Sequence, residues 1–285
     1  PVSYINCLDR FHPRAAGAER AHRNGRGSYL KTRLPNPKGL EKIPRTFSRY
    51  GIPPEWLRED LKAVDPPDLI LVTSLMTYWY PGVQETIREL RRAFPSVPIL
   101  LGGIYASLCP SHAEAHSGAD QVITGACEHR ILDIVSEQTG FSPPPVIDPK
   151  DLDSLPFPML DLQRNIPFLP LLTSRGCPFS CAYCASGYLT PEQQKRKPEK
   201  IVEEIVFWHR EYGVRDIAFY DDALLVDAEN HAAILFERII ESGMPLRFHT
   251  PNALHIRNIS KAISELMYRA GFHTVRLGLE TARFH

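Results

Sequence analysis

Pro170-Leu-Leu-Thr-Ser-Arg-Gly-Cys177-Pro-Phe-Ser-Cys181-Ala-Tyr-Cys184 carries three of the chain's six cysteines within eight residues, while Cys7, Cys109 and Cys127 stand alone. At 6 cysteines in 285 residues, a chance match of three to one fixed spacing is expected only about 0.003 times, so the cluster needs a chemical reason. The apolar run at 170–174 predicts a strand that delivers the loop.

Disulfides suit the cluster poorly: three is odd, and the segment is too tight for two bridges. Structural zinc wants four ligands, usually as two pairs, and the chain has no second pair; a distant histidine as fourth ligand keeps zinc open. Three thiolates on one short loop suit a cubane iron–sulfur cluster with one iron left without a protein ligand.

The spacing Cys177-x3-Cys181-x-Tyr183-Cys184 resembles the Cx3CxφC signature of the radical S-adenosylmethionine (SAM) superfamily, φ being aromatic. The resemblance implies that Cys177, Cys181 and Cys184 ligate a [4Fe-4S] cluster and that Tyr183 lies beside the adenine of SAM. In that family the open iron chelates the amino and carboxylate groups of SAM, and one electron cleaves the sulfonium to give a 5′-deoxyadenosyl radical. Packing is the plainer reading of Tyr183.

Downstream, the pattern predicts a helix over 198–212 through Ile201, Ile205 and Trp208, a strand over 214–220, a helix over 228–242, a strand over 246–250, a helix over 260–270 and a strand over 274–279. These are about four βα units. A full barrel needs about 250 residues, and only 115 follow Pro170. The segment therefore reads as the first part of a partial (βα)6 TIM-like barrel, the layout this family resembles, with chemistry expected at the C-terminal ends of the strands.

Those ends nominate further residues. Asp221 and Asp222 stand where the family carries a Gly-Gly-Glu-like motif that receives the SAM ammonium, although the letters differ and a turn or helix-start role is the alternative. Asn252, in Thr250-Pro-Asn-Ala-Leu-His255, resembles the third-strand region, with His255 read as an ordinary histidine. Glu280, in Gly278-Leu-Glu-Thr281, resembles a Gly-x-Glu-Ser/Thr stretch near the ribose hydroxyls. The run Lys195-Arg196-Lys197 reads as a solvated loop, with guidance of an anionic substrate or a reductase as the alternative.

Upstream, strands are predicted at 68–74, buried on both faces, and at 97–103 and 121–125, alternating with helices at 81–94, 111–118 and 128–136; 2–7 reads as an earlier strand. This is a doubly wound parallel sheet over 1–140. Eight of the 26 prolines lie between Phe141 and Pro170, which places a linker at 141–169 and the second domain at 170–285. This domain order resembles the cobalamin-binding radical SAM enzymes. Ser74, Gly102, Gly103 and Gly125 fall at strand C-terminal ends, where open parallel sheets bind ligands. Registering Gly82 with the glycine of the cobalamin motif Asp-x-His-x-x-Gly places Thr77 and Trp79 at the Asp and His positions. Neither can ligate cobalt as that histidine does, and Trp79 could cap the lower cobalt face or fill a domain without cofactor.

Lys plus Arg and Asp plus Glu balance at 33 each, which removes the general electrostatic case for nucleic acid. The first 50 residues hold 11 Lys or Arg against Asp9, Glu19 and Glu41, read as a solvated loop or else an anion site. No stretch approaches the ~18 apolar residues of a membrane span, so the expectation is a cytoplasmic protein. Starting at Pro1 and ending just after a strand, the chain reads as cut at both ends.

The resemblance implies a cobalamin-dependent radical enzyme acting on a small molecule by methyl transfer or rearrangement, with a flavodoxin or ferredoxin-type electron donor. Two alternatives stand: a methylthiotransferase using Cys7, Cys109 and Cys127 for a second cluster, and a non-catalytic zinc-stabilised module.

Overall fold

The computed structural model describes residues 1–15, 27–128, 130–141, 147–148 and 150–278. They form two compact units, Pro1–Val146 with Leu160–Asn165, and Ile147–Met159 with Ile166–His285. The proline-rich stretch is thus divided between the units. Arg164 pairs with Asp9 at 3.0 Å and Asp60 at 3.1 Å in the first, and Asp153 takes Arg196 Nε at 3.0 Å in the second.

The first unit opens with an antiparallel ribbon, β1 (Lys31–Leu34) and β2 (Phe47–Tyr50), and helix α1 (Pro54–Leu61). Then come β3 (Ile70–Ser74), α2 (Tyr80–Ala93), β4 (Ile99–Gly103), α3 (Ile104–Leu108), α4 (Pro110–His116), β5 (Gln121–Val122) and α5 (Ile131–Thr139). Strands β3, β4 and β5 run parallel in that order, with Ile70 opposite Ile99 and Ser74 opposite Gly103. Val83, Ile87 and Leu90 recur at helical spacing on α2 and are buried in one core with Ile99, Leu101 and Tyr105. Each such side chain stabilises by roughly 1.5–3 kcal/mol when fully buried.

Two expectations change here. Residues 2–7 form no strand: Cys7 O accepts from Ile52 N at 2.8 Å, a contact with the segment leading into α1 rather than a ladder with the sheet. Strand β3 is not buried on both faces, because it lies at the sheet edge; Ile70 and Ser74 point inward while Leu71 is 54% exposed. The central strand β4 matches that description instead, with Ile99, Leu100 and Leu101 all buried.

The second unit contains β6 (Leu169–Leu171), β7 (Ser174–Arg175), α6 (Ser186–Leu189), β8 (Gln194–Lys195), α7 (Pro198–Tyr212), β9 (Asp216–Phe219), α8 (Ala232–Glu241), β10 (Arg247–His249), α9 (Lys261–Ala270) and β11 (Phe272–Thr274). Strands β6, β9, β10 and β11 form a parallel sheet in that order, the arrangement of successive βα units. The helix expected over 228–242 is interrupted at His231, where a 3-10 turn (Ala228–Asn230) gives way to α8. The last strand is shorter and earlier than expected, continued by an isolated parallel bridge between Leu254 and Leu277. Among the described residues no helix is long and apolar enough to cross a membrane.

Strand alternation divides this sheet chemically. Phe219, Phe248 and Phe272 stack at centroid distances of 5.5–5.7 Å, and Phe236 of α8 meets Phe272 at 5.0 Å. Asp216, Arg247, His249 and Thr274 form a separate polar group, with Thr274 brought opposite His249 by a register shift between β10 and β11. Asp216 accepts from Arg247 Nε at 2.8 Å and from His249 Nε2 at 2.9 Å, while His249 Nδ1 meets Thr274 Oγ1 at 2.8 Å. Burial pushes the Asp216 carboxyl up, but the bonds from Arg247 and His249 outweigh it and hold the group below its ordinary value. A depressed folded-state pKa contributes stability that is present above the unfolded value and lost as pH falls through the folded one. Denaturant titrations between pH 3 and 7 should therefore show stability dropping below about pH 4; Asp216→Asn should flatten that limb and cost about 1–3 kcal/mol at pH 7.

Candidate active site

The three clustered cysteines lie on the loop between β7 and α6, downstream of the C-terminal end of β6. Gly176, just before Cys177, has φ +80°, and a Cβ there would meet Glu192 O at 2.8 Å and Thr190 O at 3.1 Å. The return arm of the loop therefore packs directly on the residue before the first cysteine, and only glycine fits. Within the loop, Phe179 is held edge-on by His255 at 4.5 Å, and Arg257 covers its ring at 4.2 Å. His255 thus braces the loop, a role its sequence context did not suggest.

Burial pushes the Cys177 thiol up, a backbone hydrogen bond with Phe179 pulls it down, and the charges of Asp222, Cys184 and Cys181 push it up again. Cys181, Cys184 and Asp222 therefore all lie within electrostatic reach of Cys177. Cys184 Sγ accepts from Ser186 N at 3.5 Å and donates to Ser186 Oγ at 3.3 Å. Among the described residues no group of three or more His, Cys, Asp or Glu is placed to hold a metal ion. A cubane puts each thiolate on a different iron and does not need three sulfurs converging on one atom, whereas structural zinc needs four donors around one centre. Three thiols on one short loop, with backbone donors at Cys177 and Cys184, fit the cluster. Cys7, half-buried with its Sγ 4.0 Å from Thr86 Oγ1, and Cys109 pack against the hydrophobic core of the first unit. They join no second ligand set among the described residues.

The adjacent aspartates diverge. Asp221 is only 3% exposed, and its Oδ1 accepts from Thr173 N at 3.0 Å, Thr173 Oγ1 at 2.7 Å, Ser174 N at 2.7 Å and Ser174 Oγ at 2.8 Å. Burial pushes this carboxyl up, and the donors offset only part of the effect. The Asp221 carboxylate, expected to receive the SAM ammonium, is here buried and filled by donors from Thr173 and Ser174. Asp222 is exposed and its charge reaches Cys177.

Asn252 donates through Nδ2 to Tyr220 O at 2.8 Å and Asp221 O at 3.3 Å, so both amide protons go to the turn after β9. Tyr183 is 70% exposed. Glu280 lies outside the described residues. Arg196 is not in a solvated loop: its guanidinium, mostly buried, meets Asp153, Glu204 Oε2 at 2.6 Å and Leu172 O at 3.3 Å. Lys195 pairs with Asp227 at 2.9 Å. Two of these partners, Asp153 and Leu172, are distant in sequence, which is why the basic run looked solvated.

In the first unit, Ser74 ends β3, Gly102 and Gly103 end β4, and Gly125 follows β5, so these four share the C-terminal edge of one sheet. Gly103 has φ +89°, and a Cβ would meet Thr73 Oγ1 at 2.6 Å and Ser74 O at 2.7 Å. Ser107, which sequence reading missed, fastens the edge: its hydroxyl donates to Gly103 O at 3.0 Å and accepts from Gly125 N at 2.9 Å. Thr77 and Trp79 form a 3-10 turn leading into α2, both half-buried, and Leu75, Met76 and Tyr78 beside them are exposed.

Comparison with known proteins agrees with both halves. Residues 50–135 match the B12 binding domain family, and residues 171–284 match the radical SAM superfamily. The chain is 29% identical over 246 residues to the uncharacterized methyltransferase PH0819 of Pyrococcus horikoshii, covering 76% of this chain and 52% of that protein. It is 22% identical over 262 residues to the anaerobic magnesium-protoporphyrin IX monomethyl ester cyclase of Cereibacter sphaeroides, covering 80% of this chain and 42% of that one. The chain thus spans about half the length of the curated relatives it matches. Its fold is similar to that of the radical SAM methyltransferase TsrM from Kitasatospora setae, solved with cobalamin and a [4Fe-4S] cluster bound, at a TM-score of 0.65 and 17% identity over 80% of this chain and 51% of that one. The chain thus carries a segment of the B12 binding domain family ahead of a segment of the radical SAM superfamily.

Proposed function

We propose that this chain holds the cofactors of a cobalamin-dependent radical SAM methyltransferase acting on a small molecule. One observation carries the reading: three cysteines at Cx3CxφC spacing on one short loop beyond a parallel strand's C-terminal end, with Cys181, Cys184 and the exposed carboxylate of Asp222 all within electrostatic reach of Cys177. When bound, the cluster supplies the electron that cleaves SAM, and the corrinoid supplies a methyl group.

The residues divide the work. Cys177, Cys181 and Cys184 hold the cluster, and Asp222 presents the negative charge that receives the SAM ammonium. Tyr183 offers an exposed ring to the adenine. Asn252, with its amide protons committed, has only its side-chain oxygen to offer, and it positions the turn that presents Asp222. Glu280 is assigned to the ribose hydroxyls, where a carboxylate accepts two protons.

In the B12-binding domain, Ser74, Gly102, Gly103 and Gly125 line the edge that takes the cobalamin tail, and Thr77 and Trp79 sit where other domains carry the cobalt-ligating motif. Trp79 therefore supports the corrin by apolar contact rather than by ligation, beside exposed Leu75, Met76 and Tyr78. A flavodoxin or ferredoxin-type protein delivers the electron. Ring closure without methyl transfer is the second reading, favoured by the likeness to the cyclase.

Anaerobically reconstituted protein given dithionite and SAM should release 5′-deoxyadenosine or a demethylated SAM product, and Cys181→Ala should abolish both. Turnover unaffected by Cys181→Ala would contradict the reading. Asp222→Asn should keep the cluster's absorption while weakening SAM binding about tenfold, a loss near 1.4 kcal/mol. For the other domain, Trp79→Ala should weaken hydroxocobalamin binding about tenfold by absorbance titration; equal binding would remove Trp79 from the corrin site.

A further inference from the structure

The peptide unit between Leu172 and Thr173 lies between two charged side chains from elsewhere in the same unit. Its carbonyl, Leu172 O, accepts from the Arg196 guanidinium at 3.3 Å, and its N–H, on Thr173, donates to Asp221 Oδ1 at 3.0 Å and Oδ2 at 3.1 Å. A cation on the oxygen and a carboxylate on the N–H both act along the peptide dipole, so each strengthens the other's hold. The next peptide continues the pattern, because Thr173 O accepts from Arg196 N at 2.9 Å and Ser174 N donates to Asp221 Oδ1 at 2.7 Å.

Both jaws are themselves held. Arg196 is fixed by Asp153 and Glu204, whose side chains are almost fully buried, and its own carbonyl meets His231 Nε2 at 2.8 Å. Asp221 sits in the turn that Asn252 holds through the Tyr220 and Asp221 carbonyls. Two residues beyond the gripped segment stands Gly176, followed by Cys177. The root of the cysteine loop is thus gripped from both sides by residues none of which is a cysteine.

We infer that Asp221 and Arg196 are a coupled pair of positioning residues that hold the root of the cysteine loop and set how tightly the chain retains its cluster. The inference rests on the radical SAM reading for the word cluster; the clamp is a property of the polypeptide alone. Asp221→Ala removes every acceptor, Asp221→Asn keeps one oxygen for the four donors that meet Oδ1, and Arg196→Met removes the guanidinium with its stem length nearly kept.

The test measures iron retained per chain after anaerobic reconstitution and a chelator challenge, the electron paramagnetic resonance spectrum of the reduced cluster, and the amide hydrogen exchange of Thr173 and Ser174 without iron. Asp221→Ala and Arg196→Met should each lose cluster at least fivefold faster than wild type with altered spectra. The double variant should be no worse than the more severe single, because both act on one peptide. Asp221→Asn should recover to within about twofold of wild type.

Exchange at Thr173 and Ser174 should rise at least tenfold in Asp221→Ala. Wild-type retention and exchange in Asp221→Ala, or losses that multiply in the double variant, would overturn the clamp. If Asp221→Ala does not fold, as judged by circular dichroism, Thr173→Val and Ser174→Ala each remove one hydroxyl donor and should give a graded loss; unchanged retention and exchange in both would overturn the inference equally. A wild-type chain that takes up no cluster but protects both amides would defeat the functional reading and leave the clamp standing.

Discussion

The carboxylate of Asp221 is the constraint on which the second unit's chemistry depends. It lies two residues beyond the end of β9 and reaches across to Thr173 and Ser174, the segment that leads from β6 into β7, so the chain leaving one parallel strand is locked to the chain leaving its neighbour. Parallel strands have no hairpin to join them, and their C-terminal ends would otherwise open into separate loops. A buried acceptor filled by backbone and hydroxyl donors closes that gap. It also frees its neighbour, Asp222, to face solvent beside the cysteines.

The first unit solves the same problem with different chemistry. There the C-terminal edge is joined by the hydroxyl of Ser107, bonded to Gly103 and Gly125, and by a glycine that lets the ends of β3 and β4 approach more closely than any Cβ would permit. Each unit therefore places its candidate ligand-binding groups on loops anchored to a rigid parallel sheet, where ligands characteristically bind. A neutral hydroxyl suffices at one edge; the other uses oppositely charged Asp221 and Arg196, with Asp153 and Glu204 satisfying the cation.

Much of this was legible from residue order. The cysteine spacing is local to one loop, and helical and strand periodicities are local as well, so the alternation of elements and the position of the loop after β6 could be read directly. What escaped depends on contacts distant in sequence. Asp221 and Asp222 are identical letters, and only the direction of each side chain after β9 separates a buried acceptor from an exposed one. Arg196 looked solvated among lysines because its partners Asp153 and Leu172 lie 20 or more positions away. Residues 2–7 carry the apolar letters of a strand but have no ladder partner among the described residues, and the apolar run in β3 concealed a strand at the edge of the described sheet with Leu71 open to solvent.

The central claim is that the two units carry two different metal cofactors, and metal analysis of the anaerobically prepared protein, with cobalamin supplied and absorption recorded, tests it most directly. About four irons per chain with one cobalt is the predicted result. Zinc in place of iron would contradict the account of the cysteine loop. Iron without cobalt would leave a radical SAM domain beside a B12-binding domain that has lost its ligand.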